Sequence, residues 1–192
     1  MTGAGIPDDE AAIRLGQPPD DEAAIQLRQL TNGELATKIR QALDQAEVRY
    51  EEPSPGRFVA HLPGQKRLKT ACWLTLGAQG LSIEAFIIRK PDEKREQVYS
   101  WLLSRNARMF GVYWSIDDAG DIYLTGRWPL AAVTPTEIDR LLGVVLDYAD
   151  SSFNTLLEMG FGSAIRREWA WRESRGESLA NLKAFEGFVK RR

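Results

Sequence analysis

A chain that makes or breaks bonds needs a nucleophile, an acid–base group or a set of metal ligands in a recognisable pattern, and this sequence offers one histidine, one cysteine and scattered carboxylates. His61 is the only histidine, and it sits on the more polar side of the alternating run Phe58-Val59-Ala60-His61-Leu62. A Ser–His–Asp or Cys–His arrangement would have to use it, and a zinc site wants several His or Cys ligands. Neither pattern surrounds it. Cys72 is the only cysteine, which excludes an internal disulfide. Its place beside Trp73 in another alternating run predicts a buried structural thiol. Asp117, Asp118 and Asp121 cluster and invite a calcium reading. An EF-hand loop starting at Asp117 needs an oxygen ligand where Ala119 stands, glycine where Ile122 stands and a bidentate acid where Trp128 stands, so the cluster reads as a turn. Glu93 and Glu96 read as a solvated helix face rather than an acid–base pair. The chain has neither a G-x-x-x-x-G-K-[ST] phosphate loop nor a G-x-G-x-x-G fingerprint. The expected catalytic, cofactor-binding and metal-ligating residues are therefore none, and no cofactor is expected.

A different kind of chemistry is written in Arg166-Arg167-Glu168-Trp169-Ala170-Trp171-Arg172. Trp169 and Trp171 are two positions apart and cannot share one helical face. One of them is therefore exposed or meets another chain, the plainer alternative being a contact with the long helix of the same chain. Interface anchors are rich in Trp and Arg, so Trp169, Trp171 and Arg172 are the candidate partner contacts.

The elements that must position such residues follow from periodicity. A capping box of Thr31 and Glu34 opens a helix carrying Leu35, Ile39, Ala42, Leu43 and Ala46 on one stripe. Glu51-Glu52-Pro53-Ser54-Pro55-Gly56 reads as a loop of strong breakers. Phe58–Leu62, Thr70–Leu76 and Leu81–Ile88 alternate as strands. Pro91 suits a first helical turn, and the helix is predicted over about Asp92–Arg105, with Asp92 and Glu93 on its positive end. Val98, Trp101, Leu102 and Arg105 form its stripe, the arginine head escaping to solvent. Two more alternating runs, Gly111–Ile116 and Asp121–Trp128, make a hairpin around Gly120. Thr134-Pro135-Thr136-Glu137 starts a long apolar helix reaching about Met159, with Gly160 and Gly162 as C-cap candidates. Ile165–Arg175 and Leu179–Val189 read as weaker helical pieces.

These elements predict an α+β chain: an antiparallel five-stranded sheet with helices packed on one face, in the order α-β-β-β-α-β-β-α, plus a C-terminal helical extension. The expected organisation is a flexible acidic tail over 1–30, the α+β domain over 31–160 and the extension over 161–192. The tail holds a tandem repeat, Pro7-Asp8-Asp9-Glu10-Ala11-Ala12-Ile13-Arg14-Leu15 and Pro19-Asp20-Asp21-Glu22-Ala23-Ala24-Ile25-Gln26-Leu27. Each copy is too short to be stable as an isolated helix.

Composition bounds the function classes. Among 192 residues, 43% are hydrophobic and 27% charged, ordinary for a soluble globular protein. A net charge of −2 argues against a broad nucleic-acid surface, which needs a local excess of Lys and Arg. No apolar run approaches the roughly 20 residues of a membrane span, and the acidic N-terminus lacks a secretory signal core. Cytosol is the expected location, with neither nucleic acid nor membrane as partner.

Several short runs carry a family likeness: Leu35-Ala36-Thr37-Lys38-Ile39, Trp73-Leu74-Thr75-Leu76, Asn106-Ala107 and Val112-Tyr113-Trp114-Ser115-Ile116-Asp117. Gly120-Asp121-Ile122-Tyr123-Leu124 and Leu141-Leu142-Gly143-Val144-Val145-Leu146-Asp147 complete them. With the element order, they make residues from about Leu30 to Met159 resemble the YbjN family of bacterial sensory-transduction-regulator proteins, itself similar in fold to type III secretion chaperones. The tryptophan-rich C-terminal piece points to the actinobacterial branch. The resemblance implies a non-enzymatic, chaperone-like or regulatory module that docks a protein partner on its sheet and helix surface, and a homodimer. A small-molecule-sensing domain with a pocket between sheet and helix is the alternative, followed by an enzyme using carboxylates and arginines.

Overall fold

The computed structural model describes residues 21–190, with side chains from Asn32 onward. The first copy of the repeat lies outside the described residues. Six antiparallel strands form one sheet: β1 (Tyr50–Ser54), β2 (Arg57–Pro63), β3 (Lys69–Leu76), β4 (Leu81–Ile88), β5 (Tyr113–Ile116) and β6 (Ile122–Trp128). Their spatial order is β1-β2-β3-β4-β6-β5, so β6 pairs with β4 and β5 lies outermost. The helices are α1 (Asp21–Gln45), α2 (Arg95–Asn106), α3 (Pro135–Arg175) and α4 (Glu186–Lys190), with 3-10 turns at Leu130–Ala132 and Ala180–Phe185.

The sixth strand corrects the five-stranded expectation. It is β1, in the stretch whose prolines read as loop. An edge strand tolerates Pro53 because only one of its sides must donate hydrogen bonds, and the β1–β2 register shifts between Glu51 and Ser54.

One face of the sheet is apolar and covered. Phe58, Leu62, Leu74, Ile83, Ile87, Ile122 and Leu124 are fully buried there, against Ile39 and Leu43 of α1 and Ile138, Leu141 and Val145 of α3. Each such side chain contributes on the order of 2 kcal/mol by leaving water. The other face carries Glu84, Thr125, Ser82 and Arg127 in register with Trp73 and Tyr113, as the alternation requires.

Three helix boundaries differ from the sequence reading. α1 runs through Thr31, so the Thr31–Glu34 capping box does not open it. Helix propagates toward the N-terminus from the packed turns at Leu35–Leu43, over residues of good propensity. α2 starts at Arg95, not at Asp92. The backbone N–H groups of Asp92 and Glu93 donate to Gly160 O at 3.0 and 3.1 Å, which holds both residues in a loop against α3. α3 opens as predicted, Thr134 Oγ1 accepting from Glu137 N at 3.3 Å with Pro135 in the first turn. It does not stop at Met159. It runs 41 residues in all, from Pro135 to Arg175, and is capped by Gly176 at φ 65°. Gly160 and Gly162 are buried inside it, where Pro91 and Phe188 press so close that a Cβ would lie 2.9 and 2.7 Å from them.

Candidate functional site

The residues that could do chemistry are dispersed. On β2, His61 faces Glu51 of β1, Nε2 to Oε1 at 3.0 Å. This contact holds the Glu51 carboxyl below the usual carboxylate range. The described residues place no nucleophile in hydrogen-bond contact with the ring, and its buried Nδ1 has no partner among them. Cys72 is fully buried and its thiol is pushed up to about 12 by loss of solvation, which leaves it unreactive.

The aspartates form a turn. Asp117 Oδ1 accepts from Asp121 N at 2.8 Å, Asp121 Oδ1 accepts from Lys90 N at 2.7 Å, and Gly120 takes φ 88°. Glu93 is not a solvated helix residue. Its carboxylate accepts from Ser163 Oγ and Ser163 N, both at 2.6 Å, and these bonds hold its pKa below the usual range. Among the described residues, no three His, Cys, Asp or Glu side chains gather as metal ligands.

Of the candidate partner contacts, Trp169 is 7% exposed and packs inside, while Trp171 is 46% exposed beneath the Arg175 guanidinium at 5.1 Å. Arg172 is occupied within the chain, its Nε on Glu168 Oε1 at 2.6 Å and a second nitrogen on Ser178 O at 3.1 Å. The three therefore do not form one surface: Trp171 is the outward-facing member.

A more continuous apolar surface lies at the β5 edge of the sheet. Leu103 of α2 is 69% exposed and Ile116 of β5 is 50% exposed, and the two share a shallow hollow floored by Tyr99, Leu102 and Trp114. Around the corner, on the uncovered face, Tyr113 is 46% exposed. The residues come together because α2 packs beside the outermost strand. Alternation puts Ile116 on one face with Val112 and Trp114, and those two are buried. It does not show that the strand end projects beyond its covering helix. The signal for Leu103 was present: it is apolar yet lies off the stripe of Val98, Trp101 and Leu102.

The backbone of this edge is sealed. Asn106, at the end of α2, accepts from Trp114 N at 2.8 Å through Oδ1 and donates to Trp114 O at 3.1 Å through Nδ2. One carboxamide thus occupies the outward donor and acceptor at mid-strand, where another strand would otherwise pair. The opposite edge, β1, is protected differently, by Glu51, Glu52 and Pro53. The β5 edge can meet a partner through side chains, while strand addition at Trp114 is blocked.

The uncovered sheet face adds a guanidinium–indole contact and an aromatic pair to a polar background. The Arg57 guanidinium lies 4.5 Å from the Trp73 ring centre, and Phe86 meets Tyr123 edge-on at 5.5 Å. Phe86 is 40% exposed. No helix among the described residues is long and apolar enough to cross a membrane.

Comparison with known proteins places this arrangement. Residues 36–158 match the YbjN family, described as "Putative bacterial sensory transduction regulator". The chain is 50% identical over 149 residues to the uncharacterized protein Rv0487 of Mycobacterium tuberculosis strain H37Rv, covering 75% of this chain and 81% of that protein. It is 55% identical over 133 residues to the uncharacterized protein ML2442 of Mycobacterium leprae, covering 69% of this chain and 72% of that one. Among solved structures, a chain of the ExsC–ExsE complex is similar at a TM-score of 0.45 and 19% identity, over 64% of this chain and 96% of that one. The match spans α3 up to Glu158, the whole sheet and the Asn106 seal, and on it the chain belongs to the YbjN family.

Proposed function

We propose that this protein is a non-enzymatic protein-binding module, chaperone-like or regulatory. It pairs with a second copy of itself through the α2–β5 edge and offers the uncovered sheet face to a protein partner. The observation that carries the reading is the exposure of Leu103, Ile116 and Tyr113 around a backbone edge that Asn106 has sealed. Exposed large apolar groups gathered at one place are costly in water and mark association surfaces. A two-fold pairing brings each patch against its own copy, so one set of apolar residues suffices for both partners. The Arg57–Trp73 and Phe86–Tyr123 pairs give the sheet face aromatic anchors among polar groups, the composition of a recognition surface. Family membership and the dispersal of the chemistry-bearing residues support a binding role over a catalytic one.

The test is site-specific photo-crosslinking. With Tyr113→p-benzoylphenylalanine in the full chain, the expected adduct joins β5 to α2 or β5 of a second copy. Adducts as frequent from Asp118, outside the patch, would contradict the reading.

A further inference from the structure

The seam between two packed helices is ordinarily filled by apolar stripes. Past the buried Val98 and Leu102, the seam of α2 and α3 opens into a cleft of about 590 Å³ lined by hydroxyls and guanidinium groups beside apolar side chains. Trp101, Ser104 and Arg105 face it from α2, and Arg108 from the turn that follows. Tyr148, Ser151 and Ser152 stand opposite at i, i+3 and i+4, on one face of α3.

Ser104 Oγ donates to Trp101 O at 2.7 Å, and the other side-chain donors of the cleft are uncommitted among the described residues. Neither Arg105 nor Arg108 forms an ion pair among the described residues. Arg105 is held in place over the Trp101 ring, 4.4 Å from its centre. Ser152 is 7% exposed, yet its Oγ makes no hydrogen bond among the described residues. Tyr148 Oη accepts from Phe110 N at 3.1 Å, which leaves its own proton free to be donated. Asp147 is the one carboxylate on the lining, against two guanidinium groups. Met109 and Trp114 complete an apolar wall on one side.

We propose that this cleft is a binding site for a small organic phosphate, a nucleotide being the chemical class that fits its two walls. Arginine's planar fork matches phosphoryl oxygens in a bidentate manner. The hydroxyls of Tyr148 and Ser152 supply neutral donors from the opposite helix. The apolar wall receives the organic part, and the cleft lies within the roughly 300–1,000 Å³ of small-molecule sites. The cleft shares Trp114 with the hollow at the α2–β5 edge but none of the exposed residues Leu103, Ile116 and Tyr113, so either proposal can fail while the other stands.

The experiment is isothermal titration of the full chain with ADP, inorganic pyrophosphate and adenosine at constant ionic strength. ADP and pyrophosphate are expected to bind one per chain and saturably, with adenosine giving no saturable heat. The double variant R105Q/R108Q is expected to weaken ADP at least tenfold, and S152A to weaken it several-fold. Both arginines are exposed, so the double variant should fold, which its circular dichroism melt checks; if it does not, S152A and Y148F carry the comparison. Three results would overturn the site: no saturable binding of either phosphate compound, adenosine binding as well as ADP, or ADP affinity unchanged in the folded variants.

Discussion

Asn106 shows how much one side chain can decide. Its carboxamide satisfies both outward backbone groups of Trp114, and a buried or half-buried hydrogen bond contributes roughly 0.5–1.5 kcal/mol. Asn106→Ala should therefore destabilise the fold by about 1–3 kcal/mol and open the edge to strand pairing. Urea denaturation reads the first effect, and turbidity of the native variant over time reads the second. An unchanged midpoint with unchanged solubility would mean that the edge is protected by something else. None of this was legible in the sequence, where Asn106 closes a helix and nothing marks it as reaching across to a strand. Cys72 was legible as a buried thiol, because a cysteine in an alternating strand beside a tryptophan has few alternatives. For Arg172 the sequence showed the type of an interface anchor but not that its Nε and one terminal nitrogen bond Glu168 and Ser178 within the chain.

At the scale of elements, the alternating runs and the Thr134–Glu137 start were readable because each signal is local. The failures all came from tertiary contact. Pro53 and Pro55 spoke for a loop, and only the neighbouring β2 makes Tyr50–Ser54 a strand. Gly160 and Gly162 spoke for a helix end, and only Pro91 and Phe188 reveal them as sites of close approach. This gives a signed prediction for Gly160→Ala. Alanine gains about 1 kcal/mol of helix propensity, but its Cβ would sit 2.9 Å from Pro91 Cβ on a rigid ring. Overpacking of this kind costs about 1–3 kcal/mol. Net destabilisation is expected, read as a lower urea midpoint. A stabilised variant would show that the loop of Pro91–Glu93 yields freely and does not hold α2 to α3.

At the scale of the whole molecule, the two edges of one sheet have been given opposite surfaces. β1 carries charge and proline, while β5 carries exposed apolar side chains on a sealed backbone. The proposed pairing would cover Leu103 and Ile116, which a single chain leaves in water. The same asymmetry explains why the sequence could yield the fold class and the family but not the surface. Which apolar residues remain outside depends on where α2 ends relative to β5, and that is set by packing rather than by period. The account rests on this edge being an interface between two copies. Light scattering coupled to size exclusion tests it most directly: the chain should run at twice its 21.6 kDa mass, and Ile116→Glu should run at the single mass while keeping its circular dichroism spectrum. A wild-type chain of single mass at micromolar concentration, or a folded I116E that still pairs, would contradict it.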